Sequence, residues 1–159
     1  MKNIVSLGLL IGLLLTGVPV LADGFNWGSG CEGGSGSFNQ PVENSADIVV
    51  GKIPVGKSGV RISLTSATDI DIRLTDVSNG HQIVAWPNGD LSDEGRECTV
   101  YESVEYCYSG YNGVNGNAGE EWIEINGVSN KELQISAFGY QAGEALVEYS
   151  WDASANCQD

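Results

Sequence analysis

Asp69 and Asp71 stand two residues apart in Thr68-Asp69-Ile70-Asp71-Ile72-Arg73-Leu74, a spacing that could do chemistry if the segment is extended. Carboxylates at i and i+2 of a strand leave the same face, about 7 Å apart at their Cα atoms, and repel unless a cation, an arginine or water lies between them. Calcium takes about six to eight oxygens, so a site built on this pair needs ligands from elsewhere. Asp90, Asp93, Glu94, Glu120 and Glu121 are the candidate carboxylates, with Asn112, Asn115 and Asn117 as neutral donors. The run Asn112-Gly113-Val114-Asn115-Gly116-Asn117 is not an EF-hand loop, because it lacks the alternating acids and the terminal glutamate. The other reading of Asp69 and Asp71 is a solvated pair answered by Arg61 or Arg73.

Tyr101, Tyr106, Tyr108 and Tyr111 form a second group. An exposed tyrosine offers flat apolar area with a polar tip, which suits sugar rings or protein partners, whereas alternate tyrosines on a strand simply pack. Tyr111, between Gly110 and Asn112, is the candidate ligand contact, together with Asn112 and Asn115. Catalysis finds little to build on. His81 is the single histidine, and neither G-x-S-x-G nor H-E-x-x-H surrounds it. Paired carboxylates could serve a glycosidase, but a chain this rich in acids produces such pairs by chance, so the expectation is a protein that is not an enzyme.

The chain carries 7 Lys+Arg against 21 Asp+Glu, a formal charge of −14. That field repels nucleic acid and anionic lipid. Met1-Lys2-Asn3, the aliphatic run over residues 4–15 and Val20-Leu21-Ala22 read as a signal peptide cleaved after Ala22. The run is shorter than the roughly 20 residues that span a bilayer, so the expectation is export, to the periplasm or beyond, without membrane insertion. Cys31, Cys98, Cys107 and Cys157 then predict two disulfides. Cys98-Thr-Val-Tyr-Glu-Ser-Val-Glu-Tyr-Cys107 folds symmetrically about Glu102-Ser103 and brings its cysteines opposite each other. Cys31–Cys157 would close nearly the whole mature chain, a constraint worth roughly 4–5 kcal/mol in the chain-entropy model. Zinc is disfavoured, with no C-x₂-C spacing and one histidine.

The elements that must position these residues are strands. Val60, Ile62 and Leu64 alternate with Arg61, Ser63 and Thr65. Ile70, Ile72 and Leu74 repeat the pattern, as do Ile123 with Ile125, Leu133 with Ile135 and Ala137, and Ala145 with Val147, Tyr149 and Trp151. Asn79-Gly80 is a hairpin signal leading into residues 81–86. No stretch shows a helical stripe, which leaves an all-β fold, a single antiparallel β-sandwich of about eight strands. The expected organisation is a signal peptide over 1–22, an irregular Gly/Ser-rich arm over 23–44 and the sandwich domain over 45–159. Phe25 and Trp27 are expected to anchor the arm to the body.

Asp69-Ile70-Asp71-Ile72-Arg73-Leu74, Glu121-Trp122-Ile123-Glu124-Ile125, and Phe138-Gly139-Tyr140-Gln141-Ala142-Gly143 followed by Leu146-Val147-Glu148-Tyr149 occur in an order that resembles the bacterial pre-peptidase C-terminal (PPC) domain and its jelly-roll-like relatives. The likeness covers residues 45–151. It implies a jelly-roll-like sandwich of the kind appended to secreted hydrolases, where it assists export or binds insoluble polymers and in some members binds calcium. No enzyme precedes the domain in this chain, so the appendage role does not transfer directly. The functional expectation is a secreted, non-catalytic binding module, calcium-stabilised, that recognises an extracellular polymer or an exported protein. A structural component of the cell envelope and a small secreted hydrolase are the alternatives.

Overall fold

A segment in which aliphatic and polar residues alternate can bury one face only by becoming a strand. In the computed structural model, which describes residues 24–28, 31–84, 96–109 and 120–153, ten segments do so. They are β1 (Gly34–Val42), β2 (Asp47–Ile53), β3 (Ser58–Ser66), β4 (Ile70–Asp76), β5 (Gln82–Val84), β6 (Arg96–Tyr101), β7 (Val104–Ser109), β8 (Glu120–Val128), β9 (Leu133–Gly139) and β10 (Gly143–Trp151). They form a six-stranded sheet in the order β1-β10-β3-β8-β7-β6 and a four-stranded sheet in the order β2-β9-β4-β5. Every pairing is antiparallel.

Four of those pairings, β1 with β10, β2 with β9, β3 with β8 and β4 with β5, describe one long antiparallel ribbon folded at its middle. Rolling the ribbon adds the β10–β3 and β4–β9 pairs and closes it into two sheets. This is a jelly roll of eight strands, as expected. The hairpin β6–β7, inserted between β5 and β8, extends the larger sheet past β8 and brings the described strands to ten.

The core lies between the sheets. Ile62, Leu64, Ile123, Ile125 and Tyr106 come from the larger sheet, and Ile72, Leu74, Leu133, Ile135 and Ala137 from the smaller, all essentially buried. Each such aliphatic contributes about 1.5–3 kcal/mol relative to exposure. Cys98 and Cys107 face each other across the β6–β7 hairpin, 4.0 Å apart at Cα, and are joined in a disulfide. Glu102 and Ser103 turn the hairpin, with φ of 47° and 69°, the two positive angles that a tight two-residue hairpin turn demands. Cys31 is disulfide-bonded as well. Cys157 lies outside the described residues, as do residues 1–22, where a signal peptide is expected.

The N-terminal arm needs correction. Residues 34–42 are not irregular: they form β1 and pair along their whole length with β10. The glycines that suggested a loose linker are there to make room for aromatic rings. Gly34 pairs with Trp151 and Gly36 with Tyr149. A Cβ on Gly34 would stand 2.6 Å from the Trp151 ring, and one on Gly36 would stand 2.4 Å from the Tyr149 hydroxyl. Phe25 and Trp27 are buried against the same rings, with Phe25 4.9 Å from Tyr149 and Trp27 5.3 Å from Trp151 between centroids. The Trp27 indole donates to the Lys52 carbonyl at 2.7 Å, and the Asn26 amide donates to the Tyr149 hydroxyl at 2.8 Å. Because Asn26 fixes that hydroxyl, Tyr149 cannot yield to a new methyl group. Gly36→Ala should therefore destabilise the fold by about 1–3 kcal/mol, read as a drop of several degrees in melting temperature; an unchanged melting temperature would show that the arm packs loosely.

Candidate functional site

Strand parity decides where each acid goes. On β4, Ile70, Ile72 and Leu74 face the core, so Asp71 and Arg73 leave the outer face of the smaller sheet. Asp71 is nevertheless 7% exposed. It pairs in register with Phe138 on β9, and Phe138 meets Tyr140 edge-on at 5.1 Å. The Arg73 guanidinium lies 5.0 Å from the Phe138 ring and donates to Asp47 Oδ2 at 2.8 Å. On β8, Ile123 and Ile125 face the core, and Glu121 continues that row. A carboxyl thus occupies a core-facing position, 8% exposed. Ser109, the last residue of β7, donates to Glu121 Oε2 at 2.6 Å and accepts from the Trp122 amide at 2.9 Å.

Burial, with the nearby charges of Asp71 and Asp69, pushes the Glu121 carboxyl up from its ordinary 4.5 to about 8, against the opposing pull of the Ser109 hydroxyl. The Tyr140 hydroxyl is raised by burial and by the same two aspartates. Asp69, Asp71, Glu121 and Tyr140 therefore share one electrostatic field at one end of the sandwich. Asp76 shows what a satisfied core acid looks like. It is fully buried, accepts from the Ser78 hydroxyl at 2.6 Å, the Ser78 amide at 2.8 Å and the Tyr101 hydroxyl at 2.9 Å, and its pKa is lowered, chiefly by the Ser78 hydroxyl.

Of the expected cation ligands, Asp69 and Asp71 are near enough to Glu121 to raise its pKa, but the carboxylate oxygens of the three do not all lie within 4.8 Å of one another. Glu120 is not among them. It points to the opposite face of β8, exposed, in an ion pair with Arg61 at 3.3 Å. Arg61 also bonds Glu124 there. Asp90 and Asp93, and the ligand contacts Tyr111, Asn112 and Asn115, lie outside the described residues. Ser109 and Glu120 are the described residues on either side of 110–119, which lies outside the described residues. Among the described residues, one trio of metal-capable side chains lies within 4.8 Å, Cys98 with Glu105 and Cys107. Its sulfurs are spent in the disulfide, so it offers no thiolate.

Ser109 and Tyr140 belong to this end and carried no signal in the sequence. The burial of Glu121 did carry one, since it shares parity with Ile123 and Ile125. What fold and site define is a jelly-roll sandwich with an acidic, partly buried end. No family model matches the chain, and no curated protein matches it. Among the described residues, no helix is long and apolar enough to cross a membrane.

The raised Glu121 pKa has a definite consequence for stability. The folded state holds this proton more tightly than the unfolded chain, so the stabilisation is complete below about pH 4.5 and is lost as pH climbs through about 8. Asp76 acts in the opposite sense, losing its contribution in acid. Calorimetric melting from about pH 5 to about pH 9 should show a falling melting temperature, and Glu121→Gln, which imitates the protonated group, should flatten that slope. Equal slopes in the two proteins would show that Glu121 is not the group responsible.

Proposed function

We propose that the chain is an exported, non-catalytic binding module that recognises an extracellular polymer or another exported protein, with calcium as a stabilising ion at its acidic end. One observation carries this reading. The fold forces Glu121 into a core-facing position where burial and the charges of Asp71 and Asp69 raise its pKa, an electrostatic tension that a bound cation would relieve. Carboxylate oxygens are the donors calcium prefers, and Asp69, Asp71 and Glu121 would have to draw closer to share one ion, since their oxygens do not all lie within 4.8 Å of one another. The remaining ligands would come from 85–95 or 110–119. The leader sequence and the Cys98–Cys107 disulfide support an oxidising compartment. The order of the three quoted motifs, and their resemblance to the PPC domain, support a polymer-directed role.

The same trio supports a second reading as a small hydrolase. A carboxyl pushed up to about 8 with other carboxyl groups near enough to raise it is the arrangement of an acid and base pair. Glu121 is 8% exposed and already holds Ser109, which leaves a substrate oxygen little access, so binding stands first.

Calorimetric titration of calcium into the purified chain at about pH 8 should give a saturable heat. Saturation should raise the melting temperature, by an amount equivalent to about 2.7 kcal/mol at a hundredfold excess over Kd. Both effects should vanish in Asp69→Asn/Asp71→Asn and reverse with a chelator. Absence of heat together with an unmoved melting temperature would remove calcium from the account. Glycan hydrolysis that is lost in Glu121→Gln would promote the second reading.

A further inference from the structure

The outer face of the larger sheet, opposite the core, carries an open groove of about 450 Å³ that the acidic end does not use. Its floor follows from register. One row across the strands runs Ser35–Ser150–Arg61–Glu124, and the next runs Ser37–Glu148–Ser63–Trp122. Four serines are set among longer neighbours, and the shortness of their side chains hollows the face. The groove crosses β1, β10, β3 and β8, three inter-strand gaps or about 14 Å. That is longer than a single sugar ring.

Polar side chains line the groove. Ser63 is 8% exposed, yet among the described residues its hydroxyl makes no hydrogen bond, and the same holds for the hydroxyls of Ser35, Ser37 and Ser150 and the carboxylate of Glu148. The Ser63 hydroxyl is not among the sealed, unmatched side-chain atoms, so although the residue is largely covered, its oxygen opens to the groove. Arg61, by contrast, is locked in place. It pairs with Glu120 and Glu124, and its guanidinium lies 5.2 Å from the Trp122 ring centroid. It forms a rigid wall with N–H groups to spare.

We propose that this groove binds a neutral, hydroxyl-rich polysaccharide chain, which rests on the reading of the protein as an exported binding module and gives that module its ligand class. A sugar hydroxyl donates and accepts, as serine does, so a row of serines, a carboxylate and a fixed guanidinium can match successive hydroxyls along a glycan. Glu120, Glu148 and the overall charge of −14 oppose an anionic polymer. A peptide partner would bring aliphatic anchors, and the lining includes no aliphatic side chain to receive them.

Affinity electrophoresis and calorimetry with soluble β-glucan, xylan and galactomannan, and with polygalacturonate as the anionic counterpart, test the proposal on the purified chain. At least one neutral glycan should bind, its oligomers should bind at least tenfold tighter than its monosaccharide, and polygalacturonate should not bind. Ser63→Val/Glu148→Ala should lose at least tenfold in affinity, with melting temperature as the check on folding. Ser37→Tyr, at an exposed position on the edge strand, should block the groove to the same extent without disturbing buried atoms. Glu132→Gln, at an exposed carboxylate that pairs with Lys52 and does not line the groove, should bind as the parent does. Glycan binding that survives both groove variants would overturn the groove while leaving the binding module intact. If none of the neutral glycans binds, the ligand class is wrong, and the module reading then rests on the calcium titration alone.

Discussion

The two-residue period of the strands governs this protein, because each strand must send one row of side chains into a dry layer and the other row away from it. The layer is closed by Ile62, Leu64, Ile123 and Ile125 from one sheet and Ile72, Leu74, Leu133 and Ile135 from the other. A slip of one residue in any of these strands would put its aliphatics outside and its charges within. Register is therefore fixed by burial. Once it is fixed, so is the destination of every acid and hydroxyl, including those in strands whose own chemistry would have preferred water.

Glu120 and Glu121 show the effect most sharply. They are neighbours in sequence, yet one lies in solvent beside Arg61 and the other in the core-facing row beside Ser109. Asp76 occupies an equivalent row on β4 but is met by several donors and stays acidic. Glu121 is met by one hydroxyl and by two repelling aspartates, and it holds its proton. Among the described residues, the contrast locates the tension of the fold at the end that holds Ser109 and Glu121. The strained end and the outer face of the larger sheet are thus two separate surfaces of the fold.

Much of this was legible in the residues themselves. The alternation of Val60, Ile62 and Leu64, the Asn79-Gly80 turn and the symmetry of Cys98 and Cys107 about Glu102-Ser103 give strands, a hairpin and a disulfide from local pattern alone. β1 was not legible, because its glycines are explained only by Tyr149 and Trp151 more than a hundred residues later. The field around Glu121 needed the charges of Asp69 and Asp71, at the start of β4, to come near enough to act on it, which happens only when the ribbon rolls. The groove was hidden for a similar reason: its serines come from three strands and line up only across the sheet. Sequence periodicity says which face a residue takes, and tertiary register says whom it meets there.

The central claim is that the fold holds Glu121 as a buried, repelled carboxyl, so the most direct measurement is its own titration. Carbon-13 NMR of the Glu121 side-chain carboxyl, assigned by comparison with Glu121→Gln, should give a midpoint at about 8, and saturating calcium should move that midpoint downward. A midpoint in the ordinary carboxylate range without calcium would contradict the account, because Glu121 would then be neither desolvated nor pressed by Asp69 and Asp71.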